Sequence, residues 1–186
     1  MTGIFQISEP DRQDPEVLSY EICGRDRIVA LSQGWPERIQ RQDILNRPVW
    51  DLMGDGNVTD VYRALITEIR RTGEGVSFTF RCDDPQTRRV MSMAMIPMGC
   101  GGIRLSSRPI ETRPQDLGDY LRRQQAHPLT LDICLQCGRI RGDGQWRSAA
   151  WAVECLGIFA DDLPFRTWLV RCPRCRPDGH FKRQPG

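Results

Sequence analysis

Lysine is nearly absent: Lys182 stands alone against 25 arginines in 186 residues. That skew suggests a GC-rich, bacterial coding bias and assigns no function. Histidine is scarce too, with only His127 and His180, so no Ser-His-Asp set can be assembled. A phosphate-binding loop is also lacking, because Gly99 to Gly102 is interrupted by Cys100 and is followed by neither a helix nor a lysine. The expectation is a protein that is not an enzyme. No apolar run approaches the ~18–20 residues that span a bilayer. The opening Met1-Thr-Gly-Ile-Phe-Gln-Ile-Ser-Glu-Pro has no basic region followed by an apolar one, as an export signal would. A cytoplasmic protein with no membrane partner is therefore expected. Charge of one sign is missing as well. Basic residues number 26 and acidic ones 24, which argues against a generic nucleic-acid binder.

Hydrophobic residues are present at 39%, enough for a core, and there are eight cysteines. In a reducing compartment, clustered cysteines indicate metal or redox chemistry more often than a disulfide framework. Cys23, Cys82 and Cys100 are scattered, while Cys134, Cys137, Cys155, Cys172 and Cys175 crowd the last third. Charge divides in the same place: residues 1–112 carry 14 arginines and 16 acids, and residues 113–186 carry 12 basic residues and 8 acids. This organisation predicts a first domain over 14–112, a linker over 113–128 and a small module over 129–178. The linker contains a short helix, about Gln115 to Gln125, suggested by Leu117 and Leu121. The first dozen residues and the tail after Pro177 are expected to be poorly ordered.

Within the first part, Leu18–Cys23 and Arg27–Leu31 are strands around the turn Gly24-Arg25-Asp26. A short amphipathic helix is expected over 33–42. A longer one is expected over 57–72, where Val58, Val61, Tyr62, Leu65, Ile66 and Ile69 form a stripe that ends at Gly73. Val76, Phe78, Phe80 and Cys82 then alternate onto one face of a strand. Asp83-Asp-Pro-Gln turns the chain into Arg88–Met98, where Met91, Met93 and Met95 share a face, and Ile103–Ile110 follows.

This β-β-α-α-β-β-β order is the layout of the PAS fold. The chain also resembles a group of small bacterial PAS-like proteins. The matching stretches are Asp26-Arg-Ile-Val with Trp35, Arg47-Pro-Val-Trp-Asp, Val61-Tyr-Arg-Ala-Leu with Ile69-Arg-Arg-Thr-Gly, and Phe78-Thr-Phe-Arg-Cys-Asp-Asp-Pro-Gln-Thr-Arg-Arg-Val-Met. The Arg-Cys-Asp-x-Pro-x-x-Arg-Arg run is the most specific of these. The resemblance, over roughly 20–113, implies a sensory or interaction module; the fold class expected for the chain is α+β, a PAS-like antiparallel sheet with flanking helices plus a small zinc-ribbon-like C-terminal module. Haem is disfavoured, since both histidines lie outside the PAS-like part.

Cys134-Leu-Gln-Cys137 and Cys172-Pro-Arg-Cys175 are two CxxC knuckles separated by 34 residues. A CxxC turn places two thiolates about 3.5–4 Å apart, suited to two corners of a tetrahedron around Zn²⁺. Two such turns make a closed Cys₄ site, and one structural Zn²⁺ per chain is expected at Cys134, Cys137, Cys172 and Cys175. The gap exceeds common zinc-motif spacings, so the insert must form its own elements. These are a helix over 147–159, with Trp151, Cys155, Ile158 and Phe159 on one side, and a strand over 167–171. This half resembles C-terminal segments of some bacterial PAS and receiver proteins at Cys134, Cys137, Arg139, Arg141, Trp146, Cys172, Pro173 and Cys175. It departs from them at Thr167-Trp168, where a Thr/Ser-His pair is common.

Other candidates are weaker. Trp35, Trp50, Phe78, Phe80, Met91, Met93 and Met95 suit either a ligand pocket or an ordinary core, and the core is favoured. Cys82, beside Arg81 and near Arg88 or Arg89, is a candidate redox thiol, although Asp83 and Asp84 oppose its activation. The reading is a regulator in which a PAS-like module senses a small molecule or forms a homodimer, and a zinc module binds a protein partner. The alternatives are a nucleic-acid-binding regulator using Arg139, Arg141, Arg147, Arg174 and Arg176, and a thiol-based redox sensor.

Overall fold

A computed structural model describes residues 17–32, 35, 41–54, 56–160, 164–176 and 184–185. Most of the helix expected over 33–42 lies outside these residues, as do the first dozen residues, His180 and most of the tail. The class is α+β. One five-stranded sheet contains β1 (Leu18–Ile22), β2 (Ile28–Leu31), β3 (Val76–Arg81), β4 (Thr87–Pro97) and β5 (Ile103–Pro114) in the order β2-β1-β5-β4-β3, with every pair antiparallel. Between β2 and β3 the chain leaves the sheet through α1 (Arg41–Ile44), a 3-10 turn (Val49–Leu52) and α2 (Gly56–Thr72). That strand order, with its helical excursion, is the PAS-like arrangement.

A second sheet has the order β10-β9-β6-β7-β8, formed by β6 (Leu129–Cys134), β7 (Ile140–Arg141), β8 (Trp146–Arg147), β9 (Phe165–Val170) and β10 (Gln184–Pro185). Here β6 and β9 run parallel, and α4 (Ala149–Cys155) lies in the crossover between them. A crossover is what parallel pairing requires, since a tight turn cannot join two strands end to start. The linker region holds α3 (Leu117–Gln124), capped by the Asp116 side chain, which accepts from Gly118 N–H and Asp119 N–H. Leu117 and Leu121 are both exposed, so capping and local charge define this helix, not an apolar stripe.

Helix α2 joins the two sheets. Its apolar stripe, Val61, Tyr62, Leu65, Ile66 and Ile69, is buried as expected, and Gly73 ends the helix at φ +74°. A second stripe, Asn57, Asp60, Ala64 and Glu68, lies at helical spacing and faces the second sheet. Asn57 Oδ1 accepts from Thr167 N–H at 2.9 Å and lies 3.1 Å from Thr167 Oγ1, whose hydroxyl donates to Asp60 Oδ2 at 2.6 Å, and Glu68 Oε2 accepts from Ala149 N–H. A single hydrophobic cluster therefore runs from Ile22, Val76 and Met95 through α2 to Leu131, Ile140 and Val153.

Three details differ from expectation. Strand β3 stops at Arg81, leaving Cys82 exposed beyond it, because Asp83 and Asp84 draw the backbone into a turn closed by Asp84 N–H to Thr87 O at 3.0 Å. Helix α4 buries Ala149, Ala152 and Val153, whereas Cys155 is exposed. Small residues on the buried side let α4 approach α2 closely. Strand β5 continues to Pro114, paired with β4 throughout, past a register shift at Val90/Met91.

Candidate metal centre

The two cysteine knuckles meet because β6 and β9 are parallel neighbours in register, with Cys134 opposite Val170. Cys134 ends β6 and Cys172 follows β9, so both turns emerge from the same end of the sheet. Backbone bonds shape each one. Gly138 N–H donates to Cys134 O at 2.9 Å, while Cys175 N–H and Arg176 N–H donate to Cys172 O at 3.0 and 3.1 Å. Gly138 adopts φ +71°, and a Cβ there would lie 2.7 Å from Ala64 O, so the first knuckle rests directly on α2.

The four Sγ atoms of Cys134, Cys137, Cys172 and Cys175 all lie within 4.8 Å of one another, and Cys137 and Cys172 are 3.7 Å apart. A tetrahedron with metal–sulfur bonds of about 2.3 Å has edges of about 3.8 Å, so the donor set fits a metal ion. Cys134 and Cys172 are buried, and Cys137 and Cys175 half-buried. Cys172 N–H donates to Cys134 Sγ at 3.4 Å. Burial alone would raise the Cys134 thiol, but the backbone N–H groups of Cys172, Cys137 and Gln136 outweigh it and bring the pKa to about 7. Cys175 is pushed up to about 12, by burial and by its three thiol neighbours, and Cys137 is raised mainly by burial. Four thiolates this close repel one another without a cation; a divalent ion removes that conflict and displaces protons as it binds.

The remaining candidate residues are spread through the molecule. Phe78, Met93 and Met95 are buried on the inner face of the first sheet, in the register Phe78–Met93 and Val76–Met95, with Phe80 opposite Met91. That face is covered by α2 and, in part, by the other module. Phe159 packs 5.5 Å from both Phe78 and Tyr62, and its carbonyl accepts from Arg81 N–H at 2.9 Å on the free edge of β3. Trp35 donates Nε1–H to Ser19 O at 2.9 Å and meets Tyr20 edge-on. Trp50 donates to Asp26 Oδ2 at 3.2 Å and carries the Arg63 guanidinium 4.2 Å above its ring. Of these seven, Trp50 borders an open cleft of about 240 Å³ between α2 and the first knuckle, along with Arg63, Ile66, Ile133, Cys134 and Leu135. Sequence reading missed this cleft and the Asn57, Asp60, Ala64, Glu68 stripe, whose only signal is polar and small residues at helical spacing. Of the guanidiniums near Cys82, Arg81 is engaged by Asp83 and Arg89 by Asp84 at 2.8 Å.

No family model matches the chain, and no curated protein matches it in sequence. Among solved structures, the chain is similar to the C-terminal domain of a Streptococcus mutans protein, at 13% identity and a TM-score of 0.39, over 52% of this chain and 77% of that one. It is also similar to a sensory box sensor histidine kinase from Vibrio cholerae, at 10% identity and a TM-score of 0.39, over 50% and 81%. The PAS-like arrangement is carried by the strand order and register of the first sheet. Among the described residues, no helix is long and apolar enough to cross a membrane.

Proposed function

We propose that the protein is a non-catalytic regulator whose PAS-like sheet and structural zinc module act as one unit through α2, and whose output is the binding of a protein partner. Cys134, Cys137, Cys172 and Cys175 hold one Zn²⁺ per chain, with every coordination position taken by the protein and none left for a substrate. The observation that carries this reading is the contact of Gly138, inside the first metal knuckle, with the backbone of Ala64 in α2. Metal occupancy and the packing of α2 are mechanically linked there. The tip of that knuckle presents Leu135, 60% exposed, beside the cleft that Trp50 and Arg63 border. An apolar side chain displayed on a rigid turn next to a concave surface is a feature of protein-docking sites.

Elemental analysis with an absorption spectrum of the same sample tests the metal. One zinc per chain without a visible band supports the reading, and iron with visible absorption overturns it. Hydrogen exchange before and after chelation tests the coupling: α2 loses protection with the metal, and unchanged α2 protection would sink it.

Redox sensing ranks second, favoured by the 3.7 Å separation of Cys137 and Cys172 Sγ. A thiol count before and after peroxide distinguishes it. Nucleic-acid binding ranks lower. Arg141 is paired with Asp132, and Arg147 is paired with Asp143 at 3.2 Å and stacked on Trp151, so two of the five candidate phosphate contacts are already engaged.

A further inference from the structure

Arg63, Thr67 and Arg70 recur at i, i+4 and i+7 on a third stripe of α2 and line the cleft of about 240 Å³ beside the first knuckle, together with Ile133, Leu135 and Leu169. Small-molecule pockets begin near ~300 Å³, so this cleft is small for a whole cofactor and suits a single side chain. Its polar groups are engaged, with one exception. Asp26 accepts from Trp50 Nε1–H at 3.2 Å and pairs with Arg70 at 2.7 Å, and Arg70 also donates to Gly101 O at 2.8 Å and Cys23 O at 3.0 Å. Asp60 accepts from the Thr167 hydroxyl. Arg63 is exposed, and its guanidinium makes no hydrogen bond or ion pair among the described residues. Its position 4.2 Å above the Trp50 ring holds it in place without using its N–H groups.

The adjoining end of the molecule is basic. Segments 133–142 and 164–176, which carry both knuckles, contain six arginines and no Asp or Glu. Arg141 is paired with Asp132. The other five outnumber the charge of about −2 that a divalent ion with four thiolates carries. Leu135 N–H donates to Val170 O at 2.9 Å, which sets Arg171 next to Leu135 in the β6–β9 register. Arg171 and Arg174 are exposed, and neither has an ion pair among the described residues. An exposed leucine thus stands beside a cleft that holds one available guanidinium and beside a turn that holds two more.

We propose that this surface docks an acidic segment of a protein partner, with one aliphatic side chain of that segment seated in the cleft against Leu135 and its flanking carboxylates taken by Arg63 and Arg171. The proposal rests on the partner-binding function above and supplies the chemistry of the partner. A guanidinium already held by an aromatic ring loses little freedom when it forks onto a carboxylate. The apolar anchor gives affinity, and the surrounding charges give register and speed of encounter. Nucleic acid also answers a basic surface, but a phosphate backbone gains nothing from Leu135 or the apolar wall, so the protein segment is favoured.

The probe is a synthetic peptide, acetyl-Gly-Glu-Asp-Leu-Glu-Asp-Gly amide, titrated by NMR into the full, metal-loaded chain. Saturable shifts of the Trp50 indole N–H and the Leu135 amide are expected, with affinity falling as salt rises. Serine in place of the peptide's leucine, or Leu135→Ser in the protein, should weaken binding roughly tenfold. Leu135 is exposed, so this substitution leaves the fold in place. Arg63→Gln and Arg171→Gln should each weaken binding roughly threefold. Arg108→Gln on β5, exposed and outside the cleft, should leave it unchanged. Equal affinity for a peptide with lysines in place of its four acids would overturn the acidic class. Tighter binding of an oligothymidylate of equal charge would reassign the surface to nucleic acid and overturn the protein segment. No saturable binding, or shifts confined to other residues, would sink the site. Metal-dependent protection of α2, read on the same sample, reports the function proposed above on its own; its persistence without peptide binding would reject this docking site and leave that coupling standing.

Discussion

The first sheet is laced by strands of up to 12 residues, whereas three of the five strands in the second are only two residues long. In the first, alternating apolar residues pair across long antiparallel ladders, and α2 covers the inner face. The second has one parallel pair, β6 and β9, and rests on α2 through a mixed stripe of amide, carboxylate and alanine. The first sheet's ladders and apolar burial suit independent stability. The second is too short-stranded for that and depends on docking and on its thiol cluster. Yet the dependence runs both ways, because Phe159 and α4 cover part of the first sheet's face.

Loss of a thiol from the four-cysteine cluster should separate the two sheets most strongly. Cys172→Ser, or chelation, should unfold the second sheet and strip protection from β3 and α2, leaving the β1–β5–β4 ladder folded; hydrogen exchange resolved by segment reads this directly. Retention of the whole fold in the serine variant would deny the metal its structural role. Phe159→Ala comes next, with an expected cost of about 3 kcal/mol in denaturant unfolding, since its ring bridges Tyr62, Phe78 and Phe165. Gly138→Ala should cost about 2 kcal/mol, through its positive φ and the approach to Ala64 O, and should lower metal affinity while leaving the four ligands in place. Thr167→Val should cost about 1–2 kcal/mol by taking the hydroxyl donor from the buried Asp60 carboxylate, while the backbone N–H at 167 still donates to Asn57 Oδ1.

The smallest effect separates the sheets by pH. Burial alone would raise the Asp83 carboxyl, but the bonds from Arg81 and Arg89 N–H and the charges of Arg81 and Arg123 bring it below the ordinary value. Its contribution is therefore full above the unfolded carboxylate value, about pH 4, and is lost as pH falls through the lower folded value. Proton competition for the thiolates should release the metal at a higher pH than that. Acid titration should give two transitions, metal loss first; a single coincident transition would mean the sheets share one fate.

Period-2 alternation from Val76 to Met95 and the stripe in α2 made the first sheet readable, because each apolar residue there faces one core. The four clustered cysteines were readable from spacing, since CxxC geometry is local. The docking between modules was not. Asn57, Asp60 and Glu68 look like solvent-facing helix residues until β9 and α4 supply Thr167 and the Ala149 N–H. Strand β6 was missed because it follows Pro128 with an exposed start, Leu129-Thr130, and only its parallel partner 36 residues on completes it. For Phe78, Met93 and Met95, periodicity identifies the face of a strand, and only tertiary packing shows that α2 and Phe159 cover it.

The parallel pairing of β6 and β9 also has a consequence for the chain as a polymer. Between Cys134 and Cys172, 38 residues apart, the backbone passes through β7, β8, α4 and Phe159 before returning. A metal ion at the four thiols closes that whole excursion into a ring. Such a clip acts on the unfolded ensemble, reducing the conformations open to the ring, more than on the folded contacts. Two pieces of a chain nicked at the exposed Asp143–Gln145 turn would remain joined by coordination as well as by packing, and chelation would remove that tether.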